Sequence, residues 1–188
     1  MPSQERPRLE TERLLLRPPV VEDASAAAEL LTDPEVMRFL GGVAVTAENA
    51  GDVVEKWIER WEQNDAGPFI VERRSDGRFL GRAGILVWDT RTWTLAAASD
   101  AGPYAQPELG WALVQAAWGN GYATEAARAV REWAREQRGI GRLVSLIAPG
   151  NVASQRVAQR LGASPGDTVK LFGSDDAVVW VHPNAPPA

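Results

Sequence analysis

The sequence predicts a single α+β domain in which helices flank a central mixed sheet, mostly antiparallel, in a three-layer arrangement of the α/β type. Its length of 188 residues, with 45% hydrophobic and 24% charged residues, is typical of one globular domain. Short apolar segments separated by turn residues in the middle of the chain indicate neighbouring antiparallel strands. A strand, a long helix and a second apolar strand follow, and this βαβ unit predicts one pair of parallel strands.

The first third of the chain predicts one strand and three helices. ERLLLRPP, at 12–19, is a short apolar strand that two prolines end. The helix after it begins with acidic residues, which suit the positive end of a helix dipole. An Asp-Pro pair at 33–34 then predicts the cap and first turn of a second helix. In the segment 46–63, apolar residues at helical spacing predict a third helix, with Trp57 and Trp61 in the core.

Three strands are predicted next, with the sequences PFIVERR, RFLGRAGILVW and PELGWALV. A Ser-Asp-Gly turn separates the first two, and all three are interpreted as antiparallel neighbours. The long helix that follows ends near Arg138, where glycines interrupt the pattern. RLVSLIA, at 142–148, has almost no polar break, as expected for a strand covered on both faces. It is predicted to run parallel to PELGWALV.

The last part of the chain predicts a helix and a hairpin. Asn151 is expected to cap the helix, which places Ala153, Val157 and Leu161 on its apolar face. Two apolar stretches around a Gly-Ser-Asp-Asp turn then predict a closing hairpin. The final HPNAPPA is predicted to be frayed, with 183–188 as a disordered tail.

Residues 118–126, WGNGYATEA, place two glycines directly before a helix. One interpretation is a tight turn between a strand and the helix, because glycine adopts backbone angles that other residues avoid. The other is an anion site, because unpaired N–H groups at the positive end of a helix can surround a phosphate when no side chain intervenes. The pattern by itself does not choose between the two.

The composition excludes several classes of site and partner. With no cysteine, the chain cannot form a disulfide, a thiolate zinc site or a cysteine nucleophile. The single His182 argues against a histidine triad, and no metal site is predicted. The net charge of −5 and the pI near 5.0 argue against nucleic-acid binding. No apolar run approaches the roughly 20 residues of a membrane span, and the first residues lack a secretory signal, so a cytoplasmic location without membrane attachment is expected.

Several segments together resemble a known family. TERLLLRPP with the Glu-Asp helix after it, DPEVMRFL, ELGWALV, WGNGYATEA and NVASQRVAQRLGA occur in this order in the RimJ/RimL-type branch of the GNAT N-acetyltransferases. The resemblance covers nearly the whole chain and implies one GNAT domain over 1–188, in which the two parallel strands splay apart. It also implies acetyl-CoA as co-substrate, with 118–123 as the pyrophosphate loop. Trp118 stands where Gln or Arg is common in the family, and an aromatic residue is frequent there in this branch.

The resemblance also implies which residues contact acetyl-CoA. A backbone N–H in the range 113–115 is expected to face the thioester oxygen, and Asn151 to hold the pantetheine arm. Capping alone is the alternative for Asn151 and Ser154, although capping and ligand contact are compatible. The implied binding residues are Leu113, Val114, Gln115, Trp118, Gly119, Asn120, Gly121, Tyr122, Ala123, Thr124, Asn151 and Ser154.

Glu108 and Ser154 are the candidates for catalysis. Glu108 lies on the strand that leads into the cleft and is expected to accept the amine proton, through water. Its alternative is a solvated carboxylate at a strand edge. The tyrosine that many relatives carry in the last helix is Ala158 here. Ser154, three residues after the asparagine, is the candidate for hydrogen bonding to the CoA sulfur.

The implied reaction is direct transfer of an acetyl group from acetyl-CoA to a primary amine, which is a protein N-terminus or a small molecule. The acceptor pocket is expected at 39–46 and around Trp88, Trp93 and Tyr104, although core packing or loop anchoring is the preferred interpretation of each ring. The alternative function is a non-catalytic acyl-CoA-binding module. A nucleotide-binding domain is disfavoured because the third glycine of G-x-G-x-x-G is missing. The protein is expected to be a monomer or a homodimer.

Overall fold

One sheet of nine strands runs through the part of the chain that the computed structural model describes, residues 7–40 and 45–184. The strands are β1 (Leu9–Glu10), β2 (Leu14–Arg17), β3 (Pro68–Arg73), β4 (Phe79–Asp89), β5 (Thr94–Leu95), β6 (Ala105–Leu113), β7 (Val144–Ile147), β8 (Ser164–Leu171) and β9 (Asp175–Val181). Their order is β1-β2-β3-β4-β6-β7-β9-β8, with β5 paired to β4. The β6–β7 pair is parallel, and the other pairs are antiparallel. The predicted mixed, mostly antiparallel sheet is therefore confirmed.

Helices flank this sheet. They are α1 (Ala24–Leu31), α2 (Pro34–Met37), α3 (Ala50–Asn64), α4 (Ala98–Ala101), α5 (Tyr122–Arg138) and α6 (Val152–Arg160). The predicted cap of α2 is confirmed, since the Asp33 carboxylate accepts the N–H of Glu35 at 2.9 Å and Pro34 is the first helical residue. The third helix begins at Ala50, a turn later than the apolar pattern suggested. In the described residues, no helix combines the length and apolar character that a membrane crossing needs.

The core is centred on three aromatic rings from different elements. Trp61 of α3, Phe69 of β3 and Trp133 of α5 pack with centroid distances of 4.8, 5.0 and 5.6 Å. Such ring pairs contribute about 0.5–1.5 kcal/mol each beyond their buried area. The Trp61 indole also donates to the Pro68 carbonyl at 2.8 Å, which satisfies its polar atom inside the core. The prediction that Trp57 and Trp61 are core residues is confirmed, since both are buried.

The parallel strands β6 and β7 separate soon after they meet. Their only paired residues are Glu108 and Val144, although β6 continues to Leu113. Next to this pair, the Ser145 hydroxyl donates to the Leu109 carbonyl at 2.6 Å and bridges the two strands. Beyond this bridge the strands no longer pair, which leaves backbone groups of both facing a gap. The predicted splay is confirmed, and it positions the candidate site.

Two predictions for the last part of the chain are wrong in detail. Ala153 is exposed, and Ala158 takes its place beside Val157 on the buried face of α6. The residues after β9 do not fray at once, because His182 is 1% exposed and the Pro183 carbonyl accepts a hydrogen bond from Arg135. The sequence missed these contacts because their partners are far away along the chain. Residues 185–188 of the predicted tail lie outside the described residues.

Candidate active site

The turn before α5 presents backbone rather than side chains. Gly119 and Gly121 have φ values of 75° and 80°, in the left-handed region that favours glycine. Gly121 is the N-cap of α5 and provides no side-chain cap. The first N–H to bond within the turn and helix is that of Glu125, which donates to the Gly121 carbonyl at 3.1 Å. The N–H groups of the three residues before Glu125 are therefore without intrahelical acceptors, at the positive end of the dipole.

A salt bridge from the first part of the chain fixes this turn. The Arg13 guanidinium lies 2.6 Å from the Glu125 carboxylate, donates to the Asn120 carbonyl at 3.0 Å and lies over the Tyr122 ring. Glu125 also accepts from the Thr11 hydroxyl at 2.6 Å. The contact of Arg13 and Thr11 with α5 was not predicted, because nothing local to ERLLLRPP indicates it. The ion pair between Arg13 and Glu125 thus stabilises the turn.

The turn fits an anionic group such as a diphosphate. A Cβ atom added at Gly119 would meet no described atom within 4 Å, and one at Gly121 would meet only Arg13, at 3.5 Å. The Thr124 hydroxyl is buried and has no hydrogen-bond partner within the described ranges. Open space and free N–H groups at a helix N-terminus are the features that suit phosphate oxygens. Of the two interpretations of WGNGYATEA, the anion site is therefore sterically and electrostatically available.

Other predicted residues of the loop shape the turn through their side chains. The Trp118 indole donates to the Leu113 carbonyl at 2.7 Å, which ties the end of β6 to the turn. The Asn120 amide donates to the Trp118 carbonyl at 2.9 Å. Tyr122 and Ala123 are half-buried at the start of α5 and pack against the core. These side chains hold the backbone in place, and the N–H groups remain available to a ligand.

A small cleft of about 60 Å³ opens where β6 and β7 separate. It contains Glu108 and Ser154, the two candidates for catalysis, and Asn151, which was predicted to hold the pantetheine arm. The remaining lining residues come from the loop after α2, from β4 and from the two splayed strands: Phe39, Leu40, Arg82, Leu86, Leu109, Gly110, Trp111, Ser145, Leu146, Ile147 and Ala148. Residues 41–44 of the expected acceptor loop lie outside the described residues. The sequence did not predict Arg82, Gly110 or Ser145 as parts of this cleft.

Glu108 is a buried carboxylate and not the solvated strand-edge group of the alternative interpretation. It is 8% exposed, and its Oε2 accepts a hydrogen bond from the Trp88 indole at 2.5 Å. The Leu146 N–H on β7 lies 3.5 Å from Oε1. Burial raises the pKa of Glu108, and it outweighs the opposing effects of the Trp88 hydrogen bond, Arg82 and Leu146. A carboxylate with a raised pKa is a stronger base than an ordinary one, which suits proton transfer from an amine.

Asn151 and Ser154 lie together at the start of α6. The Asn151 Oδ1 accepts the Ser154 N–H at 3.1 Å, so the predicted cap is confirmed. This cap uses only the oxygen of the Asn151 amide, which leaves its NH₂ group available, and Asn151 lines the cleft. Ser154 is half-buried and also lines the cleft. Capping and ligand contact are therefore sterically compatible at both residues.

The backbone donors expected near the end of β6 need one correction. The Val114 N–H donates to the Leu80 carbonyl at 2.9 Å, toward β4, so Val114 does not supply the donor for the thioester oxygen. In an antiparallel ladder, alternate residues direct their N–H groups to opposite sides. Leu113 and Trp111 therefore direct theirs away from β4, to the side of β7. The Gln115 side chain donates to the Asp33 carboxylate at 2.8 Å, which links the turn after β6 to the cap of α2.

The rings expected near the acceptor pocket have different surroundings. Trp88 is buried, packs against Phe172 at 5.3 Å and holds Glu108, so its interpretation as a packing residue is confirmed. Trp93 has a φ of 51° and its carbonyl accepts the Phe172 N–H at 3.1 Å, which anchors the loop. Tyr104 is exposed and lies under the Arg91 guanidinium. Among the described residues of the predicted loop 39–46, Phe39 and Leu40 line the cleft.

A buried histidine contacts Ser145, one of the residues that line the cleft. His182 Nε2 lies 2.9 Å from the Ser145 hydroxyl, which itself donates to the Leu109 carbonyl. Nε2 is therefore the donor in this pair, and Nδ1 is buried without a partner in the described residues. Burial first, then Arg131 and Arg135, lower the pKa of His182 to about 4. The imidazole is thus neutral near pH 7 and forms part of the bridge at the point where the strands separate.

The fold is that of the acetyltransferases. Residues 13–164 match the family described as Acetyltransferase (GNAT) domain, and the protein belongs to this family. Members of the family use acetyl-CoA. Among its relatives is the uncharacterized protein YkkB of Bacillus subtilis (strain 168), 31% identical over 178 residues, which covers 91% of this chain and 93% of YkkB.

Two further proteins support the assignment. The uncharacterized N-acetyltransferase YoaA of the same Bacillus strain is 24% identical over 157 residues, which covers 83% of this chain and 82% of YoaA. The crystal structure of an acetyltransferase from Agrobacterium tumefaciens str. C58 superimposes with a TM-score of 0.76 at 27% identity, over 95% of both chains. The GNAT fold implied by the resemblance is confirmed.

Proposed function

We propose that the protein is an acetyl-CoA-dependent N-acetyltransferase that transfers the acetyl group to a primary amine by direct attack. The observation that carries this proposal is the buried Glu108, whose pKa is raised and whose carboxylate shares a cleft with Asn151 and Ser154. The cleft continues the gap between the splayed strands. The anion-compatible turn before α5 follows β6, one of these two strands, in the chain. A base, a thioester site and a phosphate site together suit acyl transfer from CoA.

Acetyl-CoA supplies the activated acyl group as a thioester. In the proposed complex, the N–H groups from Gly119 to Thr124 hold the diphosphate, and the Asn151 amide holds the pantetheine arm. A β6 N–H on the side of β7, from Leu113 or Trp111, polarises the thioester carbonyl. Each contact uses a group that the fold leaves free of intrachain partners or directs toward the gap.

The amine must lose a proton and the sulfur must gain one during the transfer. The neutral amine nitrogen attacks the carbonyl carbon, a C–N bond forms, and the C–S bond breaks. Glu108 accepts the proton that the amine loses, through water. Ser154 hydrogen-bonds to the departing sulfur, which leaves as the CoA thiolate and takes a proton from solvent to become the thiol. The chain has no cysteine to carry the acetyl group, so both substrates must be bound before transfer.

The acceptor is a protein N-terminal α-amine or a small-molecule amine, as in the RimJ/RimL-type branch to which we propose the chain belongs. An α-amino group with a pKa near 7.7–8.0 is already partly neutral at pH 7, whereas a lysine side chain near 10.4 is not. A carboxylate base therefore suits an α-amine better than a lysine. The cytoplasmic location and the monomeric or homodimeric state stay predictions.

Turnover of acetyl-CoA tests this proposal against the non-catalytic binding module. Released thiol is measured with a panel of free amino acids, simple amines and short peptides with varied N-termini, and acetyl-CoA affinity is measured separately by calorimetry. We expect thiol release with at least one class of primary amine, and none from acetyl-CoA alone above the hydrolysis background. Tight acetyl-CoA binding without turnover of any acceptor would instead establish the binding module.

A further inference from the structure

Arg82 on β4 lines the cleft beside Glu108 without a polar partner. In residues 7–40 and 45–184, its guanidinium forms no hydrogen bond and no ion pair. Its closest ring contact is Trp57, whose centroid lies 5.7 Å away. The arginine therefore contributes a positive charge to the cleft wall, and no described residue neutralises this charge by direct contact.

Arg17, on the same sheet, shows what a structural arginine looks like in this protein. Its guanidinium lies 2.6 Å from both Asp23 and Glu72, which occupy its donors from two sides. Arg82 is half-buried, as Arg17 is, and burial lowers its pKa while Glu108 acts in the opposite direction. A half-buried guanidinium without acceptors is costly, because each donor that loses water gains no other partner. A bound carboxylate would satisfy two of these donors in a bidentate contact.

Gly110 lies between Arg82 and Glu108 and leaves the space between them open. A Cβ atom added at Gly110 would lie 3.6 Å from Glu108 Oε1 and 3.9 Å from Arg82 Nη1. The missing side chain thus marks a position that contacts the base on one side and the cation on the other. A ligand here can direct a positive or neutral nitrogen toward Glu108 and a negative oxygen toward Arg82. Phe39, Leu40 and Leu86 supply an apolar wall around it.

We propose that the acceptor is a small amino-acid-type molecule, with its carboxylate bound by Arg82 and its primary amine facing Glu108. This inference rests on the proposed transferase activity and specifies its substrate class. Arg82 is a specificity residue in this arrangement, since it binds the acceptor and takes no part in proton transfer. A carboxylate close to the amine distinguishes free amino acids from protein N-termini, whose α-carbonyl is an uncharged amide.

A comparison of matched acceptors tests the role of Arg82. Phenylalanine, its carboxamide and phenethylamine share one apolar group and differ in the carboxylate. With each acceptor, kcat/KM is measured for the unaltered protein and for Arg82→Gln, so that differences in amine reactivity cancel in the ratio. We expect Arg82→Gln to cost on the order of ten- to hundredfold more with phenylalanine than with the two acceptors that lack the carboxylate, as for a hydrogen bond between charged groups. The loss should lie mainly in KM for the acceptor.

Two further variants serve as controls for charge and geometry. Arg78→Gln removes an exposed arginine from the β3–β4 hairpin and should leave all three rates unchanged. Arg82→Lys keeps the charge without the planar fork and should recover only part of the phenylalanine rate. Arg82 would only balance the charge of Glu108 if the loss were equal with all three acceptors and the acid limb of the pH–rate profile shifted to higher pH. That outcome overturns the inference.

Gly110→Ala tests the space between the two groups without removing either. The added methyl group makes ordinary van der Waals contacts, so the fold and the acetyl-CoA affinity should be retained while KM for phenylalanine rises about tenfold or more. An unchanged KM would place the acceptor elsewhere and contradict the inference. Preferred acetylation of peptides with an acidic first residue would also contradict it. If no amine of any class releases thiol, the transferase proposal itself fails. If amines are acetylated equally well with and without a carboxylate, only the inference about Arg82 fails.

Discussion

The glycine turn before α5 and the cleft between β6 and β7 present different kinds of group to a ligand. The turn is exposed and presents backbone N–H groups, whose charge distribution does not change with pH. The cleft is buried and presents ionisable side chains, with Glu108 at 8% exposure and its pKa raised by burial. Binding at the turn should therefore be insensitive to pH, whereas chemistry and stability at the cleft should depend on it. The following changes separate the two regions.

Glu108→Gln should have the largest effect and should be strongly pH-dependent. Loss of a general base typically costs about 10²–10⁴-fold in rate. We expect this loss below the pKa of the acceptor amine, and a smaller loss as the pH rises and the amine deprotonates without help. The measurement is kcat/KM against pH with one acceptor, with acetyl-CoA affinity determined separately. The same loss at every pH would mean that Glu108 positions the substrate and does not accept its proton.

His182→Gln should flatten the pH dependence of stability. The pKa of His182 is lowered from 6.5 to about 4 in the folded state, mainly by burial. The unfolded chain therefore binds a proton as the pH falls through 6.5, whereas the folded protein does so only near 4. The free energy of unfolding therefore has no contribution from His182 titration above about pH 6.5, and it falls by about 3 kcal/mol as the pH falls to about 4.

Urea unfolding at several pH values measures this effect in both proteins. Carboxylate titration is common to the two chains, so the difference between their curves isolates His182. Gln keeps a donor that can reach the Ser145 hydroxyl, and the fold should be retained at pH 7. Parallel curves for the unaltered protein and the variant would contradict a buried neutral histidine.

Ser154→Ala should have a moderate effect that hardly varies with pH. A hydroxyl that only stabilises the departing sulfur contributes about one hydrogen bond, on the order of 1–3 kcal/mol, so the rate should fall roughly ten- to hundredfold. The Asn151 cap bonds to the backbone N–H of residue 154, so α6 should be retained. Rates are compared over the same pH range as for Glu108→Gln. A pH-dependent loss would assign proton transfer to this hydroxyl.

Gly121→Ala should have the smallest effect, and only on acetyl-CoA. Gly139→Ala is its matched control, because Gly121 and Gly139 cap the start and the end of α5 with φ values of 80° and 65°. Both substitutions should lower stability by about 1–2 kcal/mol. Only Gly121→Ala should weaken acetyl-CoA binding, about tenfold and equally at pH 6 and pH 8. Calorimetry that finds the same affinity for both variants would place the diphosphate away from the turn.

The glycine turn could be predicted from the sequence because its causes are local. Two glycines before an amphipathic helix permit the left-handed backbone, and the first turn of any helix leaves N–H groups without intrahelical acceptors. The cap of α6 by Asn151 is local in the same sense, since donor and acceptor are three residues apart. The β3–β4 hairpin is local as well, since only a short turn separates its two strands. In each case the interacting residues are near neighbours in sequence.

Tertiary structure alone decided which side chains surround the cleft. Arg82 and Glu108 lie on different strands, and only the β4–β6 register, which pairs Leu86 with Glu108, places the cation beside the acid. The burial of His182 depends in the same way on β9 pairing with β7 and on contacts with Ser145. Arg13 reaches the glycine turn from more than a hundred positions away. Periodicity and capping report on near neighbours, whereas pKa shifts, unpaired charges and strand splay depend on which distant segments pack together. The sequence by itself therefore determined the elements and the turn, and the packed sheet determined the electrostatics of the cleft.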